Sequence, residues 1–428
     1  MSGRMLRNTH ADPATIRNGQ LPGALEIGDL NYLDPASKLW HCKYALYSAG
    51  QFSSSRITQP DIVSTRDRNA TVVLGDSGGF QIGKGTLNAT ADWAKDANKP
   101  DLIYKRWIKQ PAIRERMLRW LDMYSDYAMT LDMPLWALND KASPFRKLSA
   151  QQLIDLSVEN LRYFDKHGGK QTGSKAKYLN VLQDVGDGTG DAWYKAVTQF
   201  DFTSGWALGS ATGGSIDGIL YWVRRLLDDK LLDDCEWIHI LGVSSPAMAV
   251  YLTALQRTLR KATGNETLRV SYDSSSPFQY AGKHKKVAYV PTLTSDIKSW
   301  SIPTFSFPQN PKHLNSTQKT YLSQALSPVT QCVSIEEFLT TKGNMSRNLF
   351  DKFSEQLLIN HNMYVYHRTT VDACDLVFDA VKSDSTELLS NLVFEGSRSC
   401  SDLVWVCGFN SVFEPDAGDD FSEVIKAA

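Results

Sequence analysis

Two aspartates stand where the chain delivers a carboxylate among small residues. Asp76 lies in Gly75-Asp76-Ser77-Gly78-Gly79-Phe80-Gln81. A β-branched run ends there on an acid, two glycines follow that let a backbone approach a ligand closely, and an aromatic ring comes next. Asp273 lies in Ser271-Tyr272-Asp273-Ser274-Ser275-Ser276-Pro277. Hydroxyls around it can hold a carboxylate ionised, as a nucleophile or a metal ligand requires. A third acid, Asp132 in Leu131-Asp132-Met133-Pro134, closes another apolar run. Each also fits a plainer reading, a tight turn or helix cap in which the aspartate accepts from backbone N–H groups.

The elements that must position these acids alternate in type. Ala70–Leu74, Tyr127–Leu131, Tyr178–Leu182, Glu236–Leu241 and Leu268–Ser271 read as buried strands, each ending at a polar residue or glycine. Helices lie between them. Ser149 with Gln152 forms a capping box ahead of the stripe Ile154, Val158, Leu161. Ile219, Val223 and Leu226 repeat the spacing, and Ser245-Pro246 opens a helix carrying Met248, Leu252, Leu255 and Leu259. Strand, helix, strand in this order implies a parallel sheet covered by helices. No G-x-G-x-x-G follows the first strand, so a (β/α)8 TIM-like barrel is expected rather than a dinucleotide-binding open sheet. Chemistry on such a barrel belongs at the C-terminal ends of strands, where the acids fall. Residues 1–302 are assigned to the barrel with a mixed N-terminal segment, and 303–428 to a mainly helical C-terminal appendage.

Composition narrows the class. The 428 residues are 42% hydrophobic and 22% charged, an ordinary globular balance that excludes a disordered or fibrous chain. The formal net charge is -1, so nucleic-acid binding would need a local basic patch. Lys283, Lys285 and Lys286 follow Asp273 closely and are the preferred phosphate contacts. A second basic cluster around Arg106, Arg114 and Arg119 carries Trp107 and Trp120. Six cysteines lack C-x-x-C spacing, and no stretch approaches the roughly 18 apolar residues of a membrane span. No apolar core of a secretory signal follows Met1, and a soluble, cytoplasmic setting is the expectation.

Asp76-Ser77-Gly78-Gly79-Phe80-Gln81 resembles the D-S-G-G-F-Q signature of the tRNA-guanine transglycosylase family. The likeness continues in order. Val181-Leu182-Gln183 resembles the family's strand with a base-reading glutamine, and Gly205-Trp206-Ala207-Leu208-Gly209-Ser210 its G-Y-A-[IV]-G-G loop. Leu241-Gly242-Val243 resembles its M-G-V segment, and Asp273 falls at its nucleophile. Asn360-His361-Asn362-Met363-Tyr364-Val365-Tyr366 resembles its late H-N-x-x-x-Y helix, so the resemblance spans roughly residues 70–370.

The resemblance implies a double displacement. Asp273 attacks C1′ of a nucleotide, Asp76 protonates the departing guanine as general acid/base, and an incoming base displaces the carboxylate. It implies that Asp132, Gln183, Gly209 and Ser210 read the base, with Phe80 and Leu241 sandwiching it, and adds Ser77 and Gln81 to that set. The family's C-x-C-x-x-C zinc motif is missing. With the Asp-Ser-Ser-Ser run, this is closer to the DNA-modifying branch, which exchanges guanine in DNA for a 7-deazaguanine such as 7-cyano-7-deazaguanine. DNA and the free base are thus the expected partners, no cofactor or metal is expected, and the oligomeric state stays open. The alternatives are the same exchange on tRNA and a non-catalytic nucleic-acid-binding paralogue.

Overall fold

A computed structural model describes residues 21, 24–51, 61–87, 89–170, 174, 176–183, 188–209, 216–294, 297–307, 327–334, 336–338 and 352–382. One sheet of seven strands organises them: β1 (Tyr44–Ser48), β2 (Val72–Asp76), β3 (Tyr127–Met129), β4 (Lys177–Leu182), β5 (Gly205–Leu208), β6 (Trp237–Ile240) and β7 (Arg269–Tyr272). Every neighbouring pair is parallel and the spatial order is the chain order. Without a reversal in strand order, right-handed crossovers all fall on one face, which leaves the other to close on itself.

Side chains report the closing directly. Tyr44 on β1 and Trp237 on β6 stand five strands apart, about 24 Å on a flat sheet. Their ring centroids are 6.1 Å apart, and Tyr127 of β3 is 4.6 Å from the same indole. The sheet is therefore curled, with Leu74, Met129, Leu179, Val181, Ala207 and Trp237 filling the concave side. Where eight barrel strands were expected, the described residues put seven in the parallel sheet. The next strand, β8 (Lys286–Ala288), pairs antiparallel with β9 (Thr304–Ser306) outside it.

Two strands had been passed over in the sequence. Tyr44–Ser48 lies in the segment read only as mixed, and Gly205–Leu208 had been read as a loop. All four residues of the latter are buried. Gly205 is required by neighbouring backbone rather than by a turn, since a Cβ there would lie 2.0 Å from Trp237 O.

The helices follow the expected faces. On α4 (Ala150–His167) Ser149 and Gln152 make the reciprocal capping box, and Ile154 and Leu161 are buried. On α6 (Ile216–Asp228) and α7 (Pro246–Thr263) the stripes Ile219, Val223, Leu226 and Leu252, Leu255, Leu259 are buried, each such side chain contributing about 1.5–3 kcal/mol. The two tryptophans of the second basic cluster are core residues. Trp107 on α2 (Pro100–Lys109) and Trp120 on α3 (Pro111–Tyr124) are each 1% exposed, so neither is free to stack on a base. The remaining helices are α1 (Gly79–Gly83), α5 (Thr189–Val197), α8 (Ser276–Gln279), α9 (Pro328–Cys332) and α10 (Lys352–Lys382).

The last of these packs on α7, α8 and β8. Leu357, Leu358 and Ile359 belong to the same buried cluster as Leu30, Tyr32 and Val73. Its Asn360-His361-Asn362 run acts as a clamp. Asn360 Nδ2 donates to Leu30 O, His361 Nε2 lies 2.8 Å from Ala288 O, and Asn362 bonds both Ala288 N and Lys286 O. Ser327 Oγ stands 2.7 Å from His361 Nδ1, so the imidazole is held neutral between a donor and an acceptor. Burial pushes its pKa from 6.5 down to about 4.

Because the folded value is depressed, the unfolded chain binds the extra proton between those limits. Stability is therefore full above about pH 6.5 and falls as pH drops toward 4, by up to about 1.4 kcal/mol per pH unit from this group. Denaturant titrations across that range check it. His361→Gln should remove this part of the slope, and an unchanged slope would refute the assignment.

Candidate active site

The candidate residues gather along one rim of the curled sheet. Asp76 is the last residue of β2, and Gln183, Gly209, Leu241 and Asp273 each immediately follow a strand. Asp132 stands three residues beyond β3, while Phe80 and Gln81 ride on α1. All lie at the C-terminal ends of parallel strands, where backbone leaves the ladder and side chains are released toward solvent. Ser210 and the Thr212-Gly213-Gly214-Ser215 turn lie outside the described residues.

Asp76 and Asp273 open into the same cavity of about 1310 Å³, with Ser48, Gln81, His239 and Lys283 also on its wall. Asp273 Oδ1 accepts from Gly242 N at 2.9 Å and lies 3.3 Å from His239 Nε2. Asp76 is hydrogen-bonded to the Ser48 hydroxyl and the Gly78 N–H. Its pKa is raised, first by burial and further by the Asp273 charge, against the opposing pull of those hydrogen bonds and of His239. A carboxyl whose proton is held more tightly than usual, beside a second carboxylate, is an arrangement that suits general acid chemistry.

The two glycines after Asp76 answer to the protein itself. Gly78 takes φ +90°, and a Cβ there would lie 2.7 Å from Gly50 Cα. A Cβ on Gly79 would lie 2.8 Å from Asp132 Oδ1. The motif thus folds tightly because a neighbouring loop and a third carboxylate press against it. The expected close approach is made by protein atoms.

Asp132 is bonded to Gln183 and senses Asp76. Gln183 Nε2 donates to Asp132 Oδ2, and Gln183 Oε1 accepts from Leu135 N at 2.8 Å, which fixes the amide's orientation. Burial, then the Asp76 charge, pushes the Asp132 carboxyl up to about 7. Gly209 packs on Gln183, since a Cβ there would lie 3.2 Å from Gln183 Cγ. Ser77 is fully buried, and its hydroxyl has no protein partner among the described residues.

Neither model of a known protein family nor any curated protein matches the chain. The site is read from its own geometry.

Phe80 is 57% exposed, and its ring sits 5.5 Å from Trp136, a residue the sequence reading passed over. Lys84 Nζ lies over both rings and 2.5 Å from Asp140, so the aromatic pair is held from one side. Leu241 is half-buried against the apolar interior of the sheet.

The lysines part company. Lys283 is exposed on the cavity wall. Lys285 Nζ reaches Gly282 O at 3.0 Å and Glu355 at 3.4 Å, and Lys286 Nζ lies 5.8 Å over the Tyr280 ring. Of the three, Lys283 alone lines the cavity. Arg260 and Arg269 also line the cavity, but at the opposite, N-terminal end of β7, where Arg260 Nε donates to Leu268 O and Arg269 lies over Trp237.

The residue most clearly missed is His239. It had been read only as part of an apolar strand, yet it is 2% exposed and contacts Asp273 and Ser271. The available signal was the strand period of two, which puts His239 on the same face as Trp237 while Ile238 and Ile240 face the helices. Among the described residues no group of three or more His, Cys, Asp or Glu is arranged to hold a metal ion. None of their helices is long and apolar enough to cross a membrane.

Proposed function

We propose that this protein is a guanine transglycosylase that exchanges guanine in DNA for a 7-deazaguanine by double displacement, on a (β/α)8-type barrel whose appendage carries no zinc. The observation that carries the reading is the shared cavity of Asp76 and Asp273; Asp132 and Gln183, bonded to each other, stand outside its lining but within reach of the Asp76 charge. Asp273 acts as nucleophile on C1′, and Asp76, its pKa raised by burial and the neighbouring charge, protonates guanine as it leaves. The deprotonated Asp76 then takes the proton of the incoming base, and two inversions retain configuration.

Base recognition follows from the acceptor pattern. An ionised Asp132 accepts from guanine's ring and amino N–H groups, which adenine does not present together, and Gln183 and the Gly209 N–H face the carbonyl side. Phe80 supplies an exposed ring for stacking. A duplex hides C1′ and the base edge, so the nucleotide is flipped or single-stranded. The cavity exceeds the roughly 300–1,000 Å³ of small-molecule pockets, which suits a nucleotide with its neighbours. Lys283 offers charge for phosphates.

The acid–base state of Asp132 gives a signed prediction. Accepting two N–H groups requires the carboxylate, so binding guanine below about pH 7 releases a proton. The Kd for free guanine should fall about tenfold per pH unit as pH rises toward about 7, then level off. Asp132→Asn should flatten that dependence. Calorimetric titration in two buffers measures both the affinity and the proton.

The decisive experiment supplies labelled guanine with duplex DNA, single-stranded DNA or tRNA. Label in DNA supports the reading, and label in tRNA alone moves the substrate to tRNA. Release of guanine without uptake means that water is the acceptor. No label and no release in any polymer would sink the catalytic assignment in favour of a binding protein.

A further inference from the structure

We propose that His239 is a positioning residue for Asp273, holding Oδ1 jointly with the Gly242 N–H so that Oδ2 is the attacking oxygen. The inference rests on the transglycosylase reading and deepens it.

Two independent arguments fix the imidazole. Trp237 Nε1, a donor only, lies 2.6 Å from Ser271 Oγ, so the hydroxyl accepts there. The hydroxyl keeps its own hydrogen for His239 Nδ1, 2.8 Å away, and with that bond the ring proton sits on Nε2. From the other side, Nε2 faces Asp273 Oδ1 at 3.3 Å. A carboxylate is acceptor-only, and an unprotonated Nε2 would set lone pair against lone pair. Of the two neutral tautomers, the Nε2–H form satisfies both ends. The chain Trp237, Ser271, His239, Asp273 therefore runs in one direction, each member donating to the next.

Its last two bonds converge on one oxygen. Oδ1 receives Gly242 N and His239 Nε2, and among the described residues no donor reaches Oδ2. In the first displacement Oδ2 bonds to C1′ as the C1′–N9 bond breaks. The electron pair leaves with guanine, which takes the Asp76 proton. In the second, N9 of the incoming base gives its proton to the Asp76 carboxylate and bonds to C1′. The C1′–Oδ2 bond breaks and its electrons return to Asp273. A donor on Oδ1 stabilises the carboxylate more than the ester carbonyl, so it speeds departure from the covalent intermediate.

This predicts a split that a packing role would not give. Asn at 239 can reach Ser271 but is too short to reach Asp273, whereas Gln carries an amide N–H out to the Nε2 position. In H239N the covalent intermediate should still form but persist about tenfold longer, and H239Q should restore most of its turnover. Trapping of the adduct and a chase with free base measure the two steps. Unchanged breakdown in H239N, or slowed formation with normal breakdown, would overturn the proposal. A second measurement needs no activity: the ¹⁵N shifts of His239 should show Nε2 protonated and Nδ1 bare. The opposite tautomer overturns the proposal outright. If the wild-type protein forms no adduct on any polymer, the exchange reading itself fails, and the tautomer still decides the hydrogen-bond assignment.

Discussion

Replacing Asp273 by Asn is expected to abolish the covalent protein–nucleic acid adduct and to lower base exchange by about 10⁴-fold or more, the scale on which loss of a nucleophile is felt. The substitution is chosen for what it preserves. An amide oxygen still accepts from Gly242 N and His239 Nε2, so the side chain keeps its place. Thermal unfolding should therefore stay close to that of the wild type. The amide nitrogen has no lone pair to offer C1′, and a neutral group cannot leave as a carboxylate in the second step. Denaturing gels of protein mixed with DNA and excess free base provide the measurement. A persisting adduct in Asp273→Asn would place the nucleophile elsewhere and end the mechanism argued above.

Asp76→Asn should slow exchange by about 10²–10⁴-fold, the range of general acid–base contributions. Its pH signature is more telling than its size. Burial and the Asp273 charge raise the Asp76 pKa, so the acid needed for guanine departure persists to higher pH than an ordinary carboxylate allows. Departure should slacken as pH rises through that raised value. The return step needs the carboxylate and should quicken over the same interval, giving a bell-shaped rate profile that Asp76→Asn flattens. An independent consequence concerns Asp132, whose carboxyl sits at about 7 partly because of the Asp76 charge. Removing that charge should move the pH midpoint of guanine binding downward. A midpoint that stays where it was would mean the two carboxylates do not sense each other, contrary to the geometry.

Much of the frame was legible in the chain because buried parallel strands and their covering helices announce themselves by local pattern. Five of the seven strands were read to within one or two residues, and the Ser149–Gln152 capping box was read residue for residue. Tyr44–Ser48 and Gly205–Leu208 escaped for opposite reasons. The first is bracketed by no clear turn signal, and the second begins with a glycine that marks a close backbone approach where a turn was inferred. The same ambiguity touched the Gly78-Gly79 pair, whose missing side chains make room for Gly50 and Asp132. Local pattern reports that a small residue is needed but not what presses against it.

By itself the sequence determined which acids end strands, and that those strands alternate with amphipathic helices. Only the tertiary structure decided that Asp76 and Asp273, 197 positions apart in number, open into one cavity, that Asp132 feels the charge of Asp76, and that His239 addresses Asp273 through a tautomer set by Ser271 and Trp237. The physical reason is range. Propensity and periodicity act over a few residues along the chain, whereas a carboxyl's proton affinity and a hydroxyl's choice of acceptor depend on groups a few ångströms away in space, brought there by the curl of the sheet.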